Sequence, residues 1–319
     1  MDMNTSEPPR YSATPTVMLK ADQATGEQPM ELFIVEEQTE HYLAVTAVGD
    51  SSRGLFTGVL GGIGGVGALI FATIGVLQGM FDVACMMLAI GLPLTLIPFL
   101  WEVLRPLPLP TLFNRRTGEV YFDHDGELFH TPWQGIEAVT HEFQMVGLAG
   151  GTRCASLEIR VAQFESPESA LMASLGAPFG KSLAMQKGMW EYLRAYMNNG
   201  PWFDEQGNHS ESTAFVKSQL AIRPRMSDGF KRALAQIKRE KQEAGGSNYL
   251  TSNHVIALIC LPILYPADRI QELTHSLAKR RSRHRWPRVV TERLKANGPT
   301  TRLVDLEREQ ALKSVKSQN

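Results

Sequence analysis

Two long apolar runs interrupt a chain whose hydrophobic positions otherwise alternate over only a few residues. Leu55–Leu77 is 23 residues without a charge, and Val83–Leu104 is 22 with one acid, Glu102, near its end. A helix needs about 20 apolar residues to cross a hydrocarbon layer of roughly 30 Å, so each run predicts a membrane span. Gln78–Asp82 leaves room only for a tight turn between them. Arg53 and Arg105 bracket the pair, Arg115 and Arg116 follow, and the turn has no basic residue. The positive-inside rule then places both termini in the cytoplasm. Trp101 suits an interfacial position, and Glu102 is expected to reach the headgroups.

Beyond the runs the periods shorten. Arg105-Pro106-Leu107-Pro108-Leu109-Pro110 cannot continue a helix. Phe113–Phe122 reads as two strand ends about a Thr-Gly turn, and Glu127–Thr131 as a further strand. Ile136–Val146 puts Val139, His141, Phe143 and Met145 on one face, while Leu157, Ile159 and Val161 share a face of the next strand. Four or five such strands with tight turns predict an antiparallel meander. Helical periods follow. Lys187–Met197 aligns Trp190, Leu193 and Met197 and stops at Asn198-Asn199-Gly200-Pro201. Ser227 starts a helix with Phe230, Ala233, Leu234 and Ile237 inward. His254–Pro266 is apolar but too short to span and predicts a core or interfacial helix. Arg269–Arg285 and Pro287–Ala296 read as two more helices. The expected order is thus an α+β chain: an acidic segment over 1–53, an N-terminal transmembrane helical hairpin over 54–105, a β domain with a closing helix over 106–200, and a basic helical region over 201–319.

Charge sharpens this division. The net charge is −1, but residues 1–53 carry nine acids against three bases, and residues 105–319 carry 29 bases against 22 acids. The three cysteines show neither a CxxC pair nor Cys/His ligand spacing, which fits a reducing compartment and no structural metal. Lys279–Arg288 is strongly basic, yet it has one aromatic and no nucleic-acid motif around it. A solvated face, anionic lipid or an acidic partner accounts for it, and no specific nucleic acid is expected.

Candidate chemistry is sparse. Gly62-Ile63-Gly64-Gly65-Val66-Gly67 matches GxGxxG, but the dinucleotide fingerprint needs a preceding strand and a distal acid. Inside an apolar span, Gly58, Gly61, Gly62 and Gly65 predict close helix packing instead. No cofactor is expected. His124, His130 and His141 lie near Asp123, Asp125 and Glu142, but strand alternation and turns separate them. No GxSxG, HExxH or P-loop lysine is present, so the chain is not expected to be an enzyme.

Phe113-Asn114-Arg115-Arg116-Thr117-Gly118-Glu119-Val120-Tyr121, then Pro132-Trp133 and Ala138, resemble the start of a pleckstrin-homology-like sheet in a family of proteobacterial membrane proteins of unknown function. Trp190-Glu191-Tyr192-Leu193-Arg194-Ala195-Tyr196-Met197 with Gly200-Pro201 resembles the helix signature of that family, and Arg285-Trp286-Pro287 its C-terminal one. The resemblance covers most of residues 55–300. It implies a pleckstrin-homology-like meander, with Phe113, Trp190 and Tyr196 as packing residues. Members are often encoded beside type VI secretion effectors and toxins, which implies a membrane-anchored immunity protein of the inner membrane. A cytoplasmic domain suits a toxin acting in the cytoplasm, a nuclease first. The acidic residues Glu31, Glu36, Glu37 and Glu40 are then candidates to meet its basic surface. The competing expectations are a secretion adaptor or effector chaperone, and a lipid-sensing module.

Overall fold

The computed structural model describes residues 17–47, 53–147, 150–221, 234–235, 237–239, 242, 252–282 and 285–318. The helix expected to start at Ser227 lies largely outside them. The chain divides into two units, one from Met1–Gly49, Pro108–Ile222 and Arg285–Asn319, the other from Asp50–Leu107 and Arg223–His284.

The first unit is built on an antiparallel curled sheet. Its strands among the described residues are β1 Val17–Leu19, β2 Val35–Gln38, β3 Tyr42–Val45, β4 Thr111–Asn114, β5 Glu119–His124, β6 Glu127–Pro132, β7 Ala138–Gly147, β8 Gly150–Gln163 and β9 Ser166–Ser174. Three strands therefore precede the apolar helices, and the hairpin is not N-terminal. It is inserted in sequence between β3 and β4, which pair from Tyr42↔Asn114 to Val45↔Thr111. β1–β3 escape a periodicity search because each has three or four residues, too few to show a period. The order is β1-β7-β8-β6-β5-β4-β3-β2, with β9 paired to β8. The curl comes from β8. It pairs with β7 along Gly150–Ile159 and, past the end of β7, with β6 at Ala162 and Gln163.

Strand alternation sorts side chains into two cores, since successive residues point to opposite faces. Leu43, Val45, Phe113 and Val120 face one side with Leu157, Ile159 and Val161. Ala44, Leu112, Tyr121 and Leu128 face the other. On β7 the inward residues are Ala138 and Thr140, following Ile136, while Val139, His141 and Phe143 are half-buried. The face shared by Val139, His141, Phe143 and Met145 is thus the less covered one, and the inward face is its opposite. Thr140 disguises it, because its hydroxyl is satisfied by donating to the Ser156 carbonyl at 2.6 Å.

The first core is closed by a helix that starts at Leu183, earlier than expected. Ser182 caps it, accepting from Met185 N at 3.3 Å. This helix runs to Arg194 and continues through one wider turn, Ala195–Asn199. Gly200, at φ 123°, ends it. The second core is covered by Arg288–Leu294 and by Leu303–Gln318, a C-terminal helix that falls within the helical region expected over 201–319 but was not singled out there.

The second unit holds the two apolar helices, Leu55–Leu77 (α1) and Phe81–Leu104 (α2). Both are long and apolar enough to cross a membrane. Only 22% and 11% of their most apolar stretches are buried, whereas a soluble core helix would be mostly covered. Glu102 does not reach outward as expected. It is buried and accepts from Gly54 N at 3.0 Å and Thr57 N at 2.9 Å, satisfying orphan donors of the first turn of α1. Arg53 ties the same end by donating to the Glu102 and Pro106 carbonyls at 3.1 and 2.8 Å. Ser252–Ser282 forms one continuous 31-residue helix, passing through Pro262 and Pro266, where two helices were expected.

Glycine makes this packing possible. Gly61 and Gly65 lie against Thr95 of α2, and Gly58 and Gly62 against Ala267 of the 31-residue helix. A Cβ at Gly58 would sit 2.6 Å from the Ala267 carbonyl oxygen, and one at Gly62 would overlap the Ala267 backbone. Gly67, by contrast, has nothing within 4 Å of its would-be Cβ. Gly62→Ile should therefore destabilise this unit by about 1–3 kcal/mol through overpacking. Gly67→Ala should be neutral or stabilising by up to about 1 kcal/mol through helix propensity. Thermal unfolding of both variants in detergent checks this; equal melting would refute close packing at Gly62.

Candidate functional site

The turn between β4 and β5 builds one wall of a cleft. Asn114 Oδ1 accepts from Arg116 N at 2.9 Å and Thr117 N at 3.3 Å, and Gly118 supplies the left-handed residue at φ 65°. This turn directs Arg115 over the Tyr196 ring, 5.7 Å from its centroid, while its guanidinium donates to the Glu40 carbonyl at 3.2 Å. Trp133 makes the opposite wall. Its backbone N–H donates to the Gly118 carbonyl at 2.8 Å, and its indole to Asn198 Oδ1 at 2.6 Å. The space between, about 400 Å³, is lined by Arg115, Gly118, Trp133, Met197, Asn198 and Arg302. Asp305 holds Arg302 in two hydrogen bonds of 2.8 and 2.9 Å. Arg115 has no carboxylate partner among the described residues, so the cleft favours a polar or acidic group. A second hollow of about 610 Å³ shares Trp133 and Asn198 and extends past Leu19, Lys20 and Glu137.

A buried acid cluster lies beneath the C-terminal helix. Glu119 is fully buried and accepts from Leu303 N at 2.9 Å, Val304 N at 3.2 Å and Tyr121 Oη at 3.1 Å. Burial and then the Glu119 charge push the Tyr121 hydroxyl well above the usual phenol range, so it stays a donor. His130 stands between two carboxylates, 3.6 Å from Glu119 through Nδ1 and 3.2 Å from Glu307 through Nε2. Its nitrogens point to opposite carboxylates, so these groups do not converge on a point where an ion could sit. Among the described residues no group of His, Cys, Asp and Glu is arranged to hold a metal. His124 is exposed on its hairpin tip, and His141 contacts Ser156 instead. The cluster left no local sequence signal, because its acids are 188 positions apart in the chain.

The four acids singled out from the sequence divide. Glu31 is buried and accepts from Phe33 N at 2.9 Å and from Val35 N, fixing a bend in which Phe33 adopts φ 60°. Its charge also lies near Lys181, whose ammonium burial pushes below the usual lysine range against the pull of Glu31. Glu36 is half-buried, and Glu37 and Glu40 are exposed on and beside β2, the edge strand. Tyr42 beside them is pushed up to about 12, by burial first and then by Glu37 and Glu36. The remaining motif residues are packing elements. Phe113 and Trp190 are fully buried, Trp190 5.2 Å from Trp133. Glu191 pairs with Arg194 at 2.7 Å, Tyr196 donates to the Thr39 carbonyl at 2.9 Å, and the Pro201 carbonyl accepts from Gln38 at 2.6 Å. Gly58, Gly61, Gly62 and Gly65 lie inside α1 and are helix contacts.

No family model matches this chain, and neither a curated protein nor a solved structure does.

Proposed function

We propose that this chain is a membrane-anchored binding protein of the bacterial inner membrane, and that it acts as an immunity protein against a type VI secretion toxin working in the cytoplasm, with a nuclease as the favoured class. The observation that carries the anchor is the outward face of the two apolar helices: Leu69, Phe71 and Ile97 are 57%, 62% and 67% exposed in the folded chain. Apolar surface of that extent on two adjacent 23- and 24-residue helices is matched by lipid. Both termini are cytoplasmic in this proposal, because Arg53 and Arg105 flank the pair and its turn is free of basic residues. The curled antiparallel sheet closed by the Leu183–Arg194 helix supports a pleckstrin-homology-like domain, as the motif resemblance implies. Glu37 and Glu40, exposed at the sheet edge, supply negative charge to meet a basic nuclease face.

Deletion of the gene should leave cells sensitive to siblings that deliver the cognate toxin, and expression in trans should restore growth. Neutralisation by binding requires one molecule per toxin, so protection should saturate near stoichiometric amounts. Glu37→Lys with Glu40→Lys should weaken protection without lowering protein level, because opposed surface charge sets encounter and specificity. Protection at strongly sub-stoichiometric levels would replace binding by an enzymatic reading. Loss of effector export without sensitivity would replace immunity by an adaptor role.

A further inference from the structure

The 31-residue helix Ser252–Ser282, α5 after α3 (Leu183–Arg194) and α4 (Ala214–Ala221), joins two compositions. From Asp268 onward it is rich in charge, whereas the 24 residues from Ala244 to Ala267 contain no Asp, Glu, Lys or Arg. It packs on α1 in antiparallel sense. A Cβ at Gly54 would sit 2.5 Å from the Gln271 carbonyl oxygen, while Gly58 and Gly62 abut Ala267. Numbers rise along α1 as they fall along α5. Residues before Ala267 therefore run in the direction in which α1 proceeds from Gly62 toward Leu77. At about 1.5 Å per residue, Ser252 lies some 22 Å beyond Ala267 along that axis.

The charged end carries a boundary mark. Arg269 lies 5.3 Å from the Tyr265 ring centroid and donates to the Tyr265 hydroxyl at 3.2 Å, with both side chains exposed. α2 ends the same way, with Arg105 5.4 Å from the exposed ring of Trp101. An amphipathic ring four residues before a guanidinium suits the layer where hydrocarbon gives way to headgroups.

We infer that the apolar half of α5 is a third membrane-inserted segment, a re-entrant helix in which residues 252–264 lie in hydrocarbon and Tyr265–Arg269 mark the exit. This rests on the membrane reading of the α1–α2 pair and adds to it. The glycine face of α1 is what lets a third backbone approach within the apolar layer. The inserted part is 13 residues, about 20 Å, and falls short of the roughly 30 Å of a full crossing. A full crossing would also leave the charged residues up to Glu243 on the far side. Residues 106–251 contain no uncharged run of about 20 residues to bring the chain there. The partner of this surface is the lipid bilayer itself.

The test uses the full-length protein in vesicles of phosphatidylcholine and phosphatidylglycerol. The native Cys260 is kept as the single thiol by Cys85→Ser and Cys154→Ser, and carries a small fluorophore. Ala257→Cys in the cysteine-free chain is a second position, Leu69→Cys a control in the hairpin, and Lys238→Cys a control outside it. Nitroxide lipids should reduce emission at Cys260 and Ala257→Cys as strongly as at Leu69→Cys, and leave Lys238→Cys unchanged. Quenching at Leu69→Cys without quenching at either α5 position would overturn the re-entrant helix and leave the anchor standing. Quenching at none of the three would overturn the anchor and the inference together. In intact cells, an impermeant maleimide should leave Gly246→Cys unlabelled from the periplasm, and labelling there would turn the re-entrant helix into a full crossing.

Discussion

Replacing Trp190 with alanine should destabilise the sheet unit by about 3–5 kcal/mol, the usual cost of emptying a large aromatic site in a packed core. Trp190 is fully buried, its ring 5.2 Å from Trp133, and its indole N–H donates to the Lys20 carbonyl at 3.1 Å. Three consequences follow from one truncation. The cavity lies beneath the helix that closes the first core, Trp133 loses its ring neighbour, and the Lys20 carbonyl loses its donor. For a unit of this size the loss corresponds to a fall in Tm of roughly 6–20 °C. Thermal unfolding of the detergent-solubilised protein, followed by near-ultraviolet circular dichroism, measures it. Trp190→Phe keeps most of the packing and loses the hydrogen bond, so it should cost less than alanine. A Trp190→Ala protein that melts like the wild type while failing to protect against toxin would move Trp190 from the core to a binding surface. Because Trp133 also lines the Arg115 cleft, the stable part of the fold and the candidate site share one wall.

What could be read from the sequence follows from how local each signal is. The apolar helices declare themselves over more than twenty positions, and their glycines recur at a spacing of four. Leu157, Ile159 and Val161 are alternate residues on a strand long enough to show its period. Trp190 and Leu193, both fully buried, were legible as one stripe of a helical period. β3, by contrast, is a nearly continuous buried run of four residues, because the sheet there is covered on both faces, and β2 is a four-residue edge strand in which only Val35 is buried. Alternation is the signature of a strand with one wet face, and it disappears when both faces are dry. β9 carries Pro167 and Glu168, residues that argue against a strand unless it lies at an edge, where β9 pairs with β8 alone. Glu31 read as surface charge because nothing nearby reveals that it turns inward to fix the backbone at Phe33. A long-range feature was the least legible: Glu119 caps a helix that begins 184 residues later.

That cap should be the second large effect. Glu119→Ala should cost about 3–5 kcal/mol, the range for removing one member of a buried charged network. The carboxylate accepts from two backbone N–H groups at the start of the Leu303–Gln318 helix, and from Tyr121. Alanine leaves those buried donors without an acceptor, and an unmade buried hydrogen bond costs more than a made one contributes. It also removes one of the two carboxylates flanking His130, leaving Glu307 alone at 3.2 Å. The damage should begin locally, since Glu119 is the link between the sheet and that helix terminus. Hydrogen exchange should therefore accelerate first at Leu303 and Val304, and limited proteolysis should cut within 303–318 before the sheet opens. Glu119→Gln keeps an acceptor oxygen without the charge, so it should restore part of the protection at Leu303 and Val304. If glutamine is as damaging as alanine, charge rather than hydrogen bonding holds the terminus. Unchanged exchange at both amides in Glu119→Ala would show that Val290 and Leu303, packed in the second core, hold the C-terminal helix without its cap.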